Sequence, residues 1–282
     1  MRLKGLWALT HPGPSLVTAL AYAVFALLAA HGRPDLITLT ATLFGMIAVQ
    51  FAISAFNDYC DREADKRSHK FKPVALGILP PWAALAMTAF FTALMIACYA
   101  PYGLTPLLIA GAFLVLGFAY DLGLKSTPLG AVMMGLAFPL LPLLAWDLFA
   151  AVTPALFWTF PLGLAIGASI HIADALPDVA ADRAAGAHGL TQALGRYAFG
   201  VEWLLLAGAS LLVVLLAAIG ATSSRPIVLL ITTPLSFVLL LAAIATHQRR
   251  EWPVQQRLRV NFLLTVLAAL VVAVGWVVSA LV

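Results

Sequence analysis

Residues 36 to 56 read LITLTATLFGMIAVQFAISAF, and residues 57 to 65 continue NDYCDREAD. The first segment carries no charge over a length that matches the roughly 20 apolar residues a helix needs to cross a bilayer. The second is rich in carboxylates. A helix that runs from one into the other ends at the membrane face on a row of acids, and that combination sets the reading of the remaining chain.

Eight further apolar runs accompany it. Bounded by charges, Pro and Gly, the candidate spans are Pro14 to Ala30, Leu36 to Phe56, Trp82 to Ala100, Leu104 to Tyr120, Leu129 to Trp146, Pro154 to Ala173, Tyr197 to Ile219, Ile227 to Thr246 and Asn261 to Val282. Nine spans use most of the 282 residues, so residues 1–282 are expected to form a single integral-membrane domain, all-α, with loops near 57–80, 121–128 and 174–196. Composition agrees: 63% of residues are hydrophobic and 10% charged, against about 25% charged in soluble domains, and mean hydropathy is +1.00. The first run follows Arg2 and Lys4 and ends LLAAHG, as a signal peptide would. Its removal would break the charge pattern, so it is read as a retained helix. Cys60 and Cys98 are too few for a disulfide framework and are assigned no function.

With the N-terminus inside, the inner connections hold Arg2, Lys4, Arg62, Lys66, Arg67, Lys70, Lys72, Lys125, Arg183, Arg196, Arg249, Arg250, Arg257 and Arg259, leaving only Arg33 and Arg225 of the 16 basic residues outside. The positive-inside rule makes that side cytoplasmic and places the C-terminus on the opposite side. The basic excess is thus topological, and no nucleic-acid partner is expected; no obligate protein partner is evident either.

The carboxylates are more informative, because insertion does not govern them. Two inner arrays stand out: Asn57, Asp58, Asp61 and Asp65 after the second span, and Asp174, Asp178 and Asp182 after the sixth. At about 100° per residue, Asn57, Asp61, Asp65 and Asp58 fall at about 0°, 40°, 80° and 100°, and Asp174, Asp178 and Asp182 repeat the spacing, with His171 near 60°. Pro177 sits where it would kink or restart that second helix. Carboxylates about 6 Å apart repel by roughly 3 kcal/mol per pair at an effective dielectric of 20, so such rows call for a cation. All-oxygen donors select Mg²⁺ or Mn²⁺, and Mg²⁺ usually completes its shell with substrate phosphate oxygens. The implied substrate carries a diphosphate, with Arg62, Lys66, Lys72, Lys125 and Arg183 as candidate receivers. Each of these is also a topological charge. A diphosphate on a greasy chain among apolar helices suggests an allylic prenyl group ionising to a carbocation that aromatic faces would stabilise.

The patterns Asn57-Asp58-x-x-Asp61-x-x-x-Asp65 and Asp178-x-x-x-Asp182-Arg183 resemble the two Asp-rich motifs of the UbiA superfamily of intramembrane prenyltransferases, and Tyr120-Asp-Leu-Gly-Leu-Lys125 is similar to its segment after the fourth helix. The resemblance extends over the whole chain. It implies the UbiA fold, Mg²⁺ held by Asn57, Asp61, Asp65, Asp178 and Asp182, with Asp58 a further candidate ligand. It also implies catalytic positions Asp61, Asp178, Lys125 and Tyr120, and transfer of an isoprenyl group to an aromatic or lipophilic acceptor. Two departures stand out: Lys72-Pro73 replaces the family's Arg-Pro, and Leu176-Pro177 precedes the second motif. His171 and Asp174 are candidate acceptor-side residues. Cyclisation or isoprenoid elongation is the enzymatic alternative. A transporter is the alternative of another class, and the scarcity of ionisable residues deep in the spans speaks against it.

Overall fold

The computed structural model describes residues 2–66, 71–179, 188–220 and 226–282. In chain order the α-helices are α1 (Arg2–Leu9), α2 (Pro12–Ala29), α3 (Leu36–Cys60), α4 (Arg62–Asp65), α5 (Pro81–Tyr99), α6 (Leu104–Asp121), α7 (Leu129–Ala137), α8 (Leu140–Phe149), α9 (Thr159–Ala175), α10 (Leu190–Leu194), α11 (Ala198–Ala218), α12 (Leu229–Gln248) and α13 (Val254–Leu281). Short 3-10 turns supplement them, and the described residues contain no strand. Nine helical stretches among them are long and apolar enough to cross a membrane, with mean hydropathies from 1.5 to 2.5. This is an all-α, multi-pass architecture, as the apolar runs required.

The chain divides into two compact units, Met1–Gly123 with Leu140–Val152, and Leu124–Pro139 with Thr153–Val282. In the first, α3 packs against α2, α5 and α6, and α8 against α2 and α6. Asp35 starts α3 as its N-cap, accepting from the Thr38 N–H at 2.8 Å and hydroxyl at 2.7 Å. Those two bonds hold its carboxyl below the usual range. At 1.5 Å per residue the 25 residues of α3 extend about 37 Å, longer than the roughly 30 Å hydrocarbon core, so the last turn carries Asn57 and Asp58 toward the interface.

In the second unit, α9 packs against α7, α11 and α13, and α12 against α13. The contact of α7 with α9 depends on small residues: a Cβ on Gly167 would lie 2.4 Å from Gly135 Cα, so only glycine permits this approach. A polar lock ties the other helices. The Glu202 carboxylate, fully buried on α11, accepts from Asn261 Nδ2 at 3.0 and 3.1 Å and from the Thr265 hydroxyl on α13. Ser169 of α9 donates to the Glu202 main-chain oxygen at 3.0 Å.

Among the differences from the apolar runs, two stand out. The last helix begins at Val254 rather than Asn261, because the polar turns holding Gln255, Gln256 and Arg257 are helical although hydropathy does not register them. The fifth run is two helices, α7 and α8, separated at Phe138 and Pro139. Proline has no N–H to continue the ladder, and the boundary between the compact units falls there.

Candidate functional site

The first acidic array grows out of helical periodicity. Asp61 caps α3, its N–H donating to Asn57 O at 2.8 Å, and the Asp65 N–H donates to Asp61 O at 2.8 Å. The four-residue register therefore continues from α3 into the short α4. Asn57 Nδ2 donates to Asp61 Oδ2 at 3.0 Å and to Asp121 Oδ1 at 2.7 Å. Two carboxylates thus fix which side of the amide is nitrogen, and its Oδ1 is turned away from them as an acceptor.

Asp121 was not among the expected site residues. It lies on α6 beside Tyr120, which is half-buried, and is itself 5% exposed. One turn earlier, Gly117 is packed so closely on α3 that an added Cβ would lie 2.4 Å from Ile53 Cδ1. The steps from Ile53 to Asn57 and from Gly117 to Asp121 are each one turn, so the glycine sets the helix separation that the Asn57–Asp121 bond requires. Phe56 and Phe118 meet at 4.6 Å between centroids on the same two helices. The sequence signals for Asp121 are its place at the end of the fourth apolar run and within the segment Tyr120-Asp-Leu-Gly-Leu-Lys125, where the resemblance singles out only Tyr120 and Lys125.

The helical wheel put Asp58 at the edge of the acidic face. In the structure its side chain is 1% exposed, and Oδ1 accepts from Lys72 Nζ at 2.7 Å and His11 Nε2 at 2.9 Å. Lys72 Nζ also lies 3.6 Å from Asp65 Oδ2. Burial alone would push the Lys72 ammonium down, but the hydrogen bond to Asp58 and the charges of Asp58, Asp65 and Asp61 outweigh it and hold Lys72 above the usual lysine range. The other two basic residues of this region have local partners. Arg62 donates to Tyr59 O at 2.6 Å and stacks 4.4 Å over its ring. Lys66 pairs with Glu63 at 2.7 Å, which lowers the Glu63 carboxyl.

In the second unit, α9 stops at Ala175 and a 3-10 turn, Leu176–Asp178, carries Asp178. Pro177 thus ends the α-helix, so Asp174 and Asp178 do not share one uninterrupted α-helix, and both are exposed. The Pro177 carbonyl accepts from Gln255 Nε2 of α13 at 3.2 Å. Asp182 and Arg183 lie outside the described residues. Lys125 occupies the 3-10 turn Leu124–Ser126 and is half-buried. His188 N–H donates to Ser126 O in that turn at 3.1 Å. His171, 5% exposed, packs against Gly130, just beyond it.

The donors of the first array suit a hard divalent cation: Asn57, Asp61 and Asp65 can each offer oxygen, the preference of Mg²⁺. Among the described residues no group of three or more His, Cys, Asp or Glu side chains that could hold a metal ion is present.

Comparison with known proteins gives a consistent result. The model of the UbiA prenyltransferase family matches residues 15–266. The chain is 30% identical over 223 residues to a 4-hydroxybenzoate octaprenyltransferase of Neisseria gonorrhoeae, covering 72% of each chain. Its fold resembles a solved digeranylgeranylglyceryl phosphate synthase with a TM-score of 0.76 at 16% identity, over 99% of this chain and 98% of that one. It also resembles a UbiA homologue from Archaeoglobus fulgidus bound to GPP and Mg²⁺, with a TM-score of 0.75 at 17% identity, over 96% and 99% of the two chains.

Proposed function

Since the chain belongs to the UbiA prenyltransferase family, and is a membrane prenyltransferase, we propose that it transfers an isoprenyl group from a prenyl diphosphate, with Mg²⁺, to an aromatic acceptor. The carrying observation is the Asn57 amide held between Asp61 and Asp121 with Lys72 beside Asp65: an oxygen-rich site for a cation with an ammonium next to it for a phosphate. An A. fulgidus relative bound to GPP and Mg²⁺ supports the donor substrate and metal. The 4-hydroxybenzoate enzymes among its sequence relatives support the aromatic acceptor.

In this reading Asn57, Asp61 and Asp65, with Asp178 and Asp182, hold Mg²⁺, which when bound neutralises the diphosphate as a leaving group. Lys72, Lys125 and Arg183 bind the diphosphate, and Tyr120 stands near the reacting end. Phe56 and Phe118, immediately on the membrane side of Asn57 and Asp121, offer ring faces to the allylic cation. The loops near 57–80, 121–128 and 174–196 and the N-terminus are cytoplasmic, as the lysine and arginine distribution supports.

The test is an acceptor screen on purified protein in detergent with labelled geranyl, farnesyl and geranylgeranyl diphosphates, products read by mass. A prenylated aromatic product formed only with Mg²⁺ or Mn²⁺ is expected. Turnover undiminished in excess chelator would refute the metal role, and a cyclised hydrocarbon with no acceptor adduct would replace transfer by cyclisation.

A further inference from the structure

The end of α3 has two polar faces. Asn57 turns to Asp61 and to Asp121 of α6, while Asp58, about 100° around from Asn57, turns to a different set of elements. His11 reaches it from the junction of α1 and α2, and Lys72 reaches it from the segment that follows α4. These two elements are packed on each other through Leu9, Val74 and Leu79. His11 adopts φ 42°, ψ 62°, a left-handed conformation that a non-glycine residue keeps only where its surroundings over-determine it. The Asp58 oxygen accepts only, so His11 Nε2 must carry the proton it shares. The 3.4 Å between Lys72 Nζ and His11 Nε2 is then a contact of two donors on one acceptor.

We propose that Asp58 is a positioning residue and not a metal ligand: together with His11 it anchors Lys72 so that the ammonium stands beside Asp65, directed at a diphosphate oxygen. The inference rests on the metal and diphosphate reading above. An ammonium has three donors; one goes to Asp58 at 2.7 Å, and Asp65 Oδ2 at 3.6 Å is a charge neighbour beyond hydrogen-bonding distance, which leaves donors for a phosphate. A divalent ion on Asp58 would compete with an ammonium hydrogen-bonded at 2.7 Å, whereas one on Asp65 would face the same ammonium at 3.6 Å without displacing a hydrogen bond. Access points the same way, because the Asp58 side chain is 1% exposed and that of Asp65 18%.

The experiment measures two equilibria on protein in detergent: Mn²⁺ binding by EPR titration, and binding of inorganic pyrophosphate in saturating Mg²⁺ by calorimetry. Asp58→Asn is expected to bind Mn²⁺ as the wild type does and to bind pyrophosphate about tenfold more weakly, the loss of one charge-assisted bond. Lys72→Met is expected to weaken pyrophosphate similarly, the double variant to be little worse than Lys72→Met alone, and Lys72→Arg to restore part of the loss. His11→Gln, a milder change that leaves Asp58 in place, is expected to weaken pyrophosphate by a smaller factor with Mn²⁺ unaffected. Loss of Mn²⁺ binding in Asp58→Asn equal to that in Asp61→Asn would overturn the proposal, as would additive effects of Asp58→Asn and Lys72→Met. Retention of Mn²⁺ by Asp61→Asn would instead sink the metal site itself, and the Asp58–Lys72 cycle would still decide the anchor.

Discussion

Truncation of Asp121 tests a contact of Asn57 that the sequence did not single out. Asp121→Ala removes the 2.7 Å acceptor from Asn57 Nδ2 and leaves only the 3.0 Å bond to Asp61. A hydrogen bond to a charged partner contributes about 1.5–3 kcal/mol, and loss of a partner that orients a metal ligand typically weakens metal binding about 10- to 100-fold. Half-saturating Mg²⁺ for pyrophosphate release from geranyl diphosphate should therefore rise by about 10- to 100-fold, while turnover at saturating Mg²⁺ recovers most of the wild-type rate. Asp121→Asn keeps an acceptor and loses the charge, so it should fall between. A direct Mn²⁺ titration by EPR separates binding from turnover. If Asp121→Ala showed wild-type Mg²⁺ dependence and Mn²⁺ affinity, the amide would not be oriented by that carboxylate, and the carrying observation of the functional reading would be lost.

Three other outcomes follow from the geometry. Lys72 is held above the ordinary lysine range, so its contribution to stability is fully present below the unfolded value of about 10.4 and is lost only as pH rises through the higher folded value. An amine-acylating reagent at pH 9, followed by peptide mass mapping, should label exposed Lys66 well before Lys72, and equal labelling would contradict the anchor. Gly167→Leu would drive side-chain atoms into Gly135, where even a Cβ comes to 2.4 Å; overpacking costs about 1–3 kcal/mol, read as a lowered unfolding temperature in detergent. Asn261→Leu strips Glu202 of the amide that donates to both its oxygens and should cost about 1–3 kcal/mol by the same measurement, with unchanged thermal stability ruling out a structural role for the lock.

Uninterrupted apolar runs and the four-residue spacing of the first acidic array were properties of local sequence, and local physics settles them: about 20 apolar residues span a bilayer whatever their neighbours, and positions four apart share a helix face where the helix is continuous, as Pro177 prevents between Asp174 and Asp178. The fold class was legible for that reason, and so was the shared register of Asn57, Asp61 and Asp65. Partner choice was not. Asp121 meets Asn57 across 64 positions and His11 meets Asp58 across 47, and which of two neighbouring side chains, Asn57 or Asp58, faces which helix depends on how α3 is rotated in its packing. The close approach at Gly117 and Ile53 helps to set that rotation. The break at Pro139 had a local cause, the missing N–H, but only tertiary contact made it the boundary between the compact units. Sequence therefore determined that acids stand at the membrane face, and packing decided which of them faces Asp121 and which secures a lysine, because a side chain's role is set by the charges that long-range contact brings within hydrogen-bonding distance.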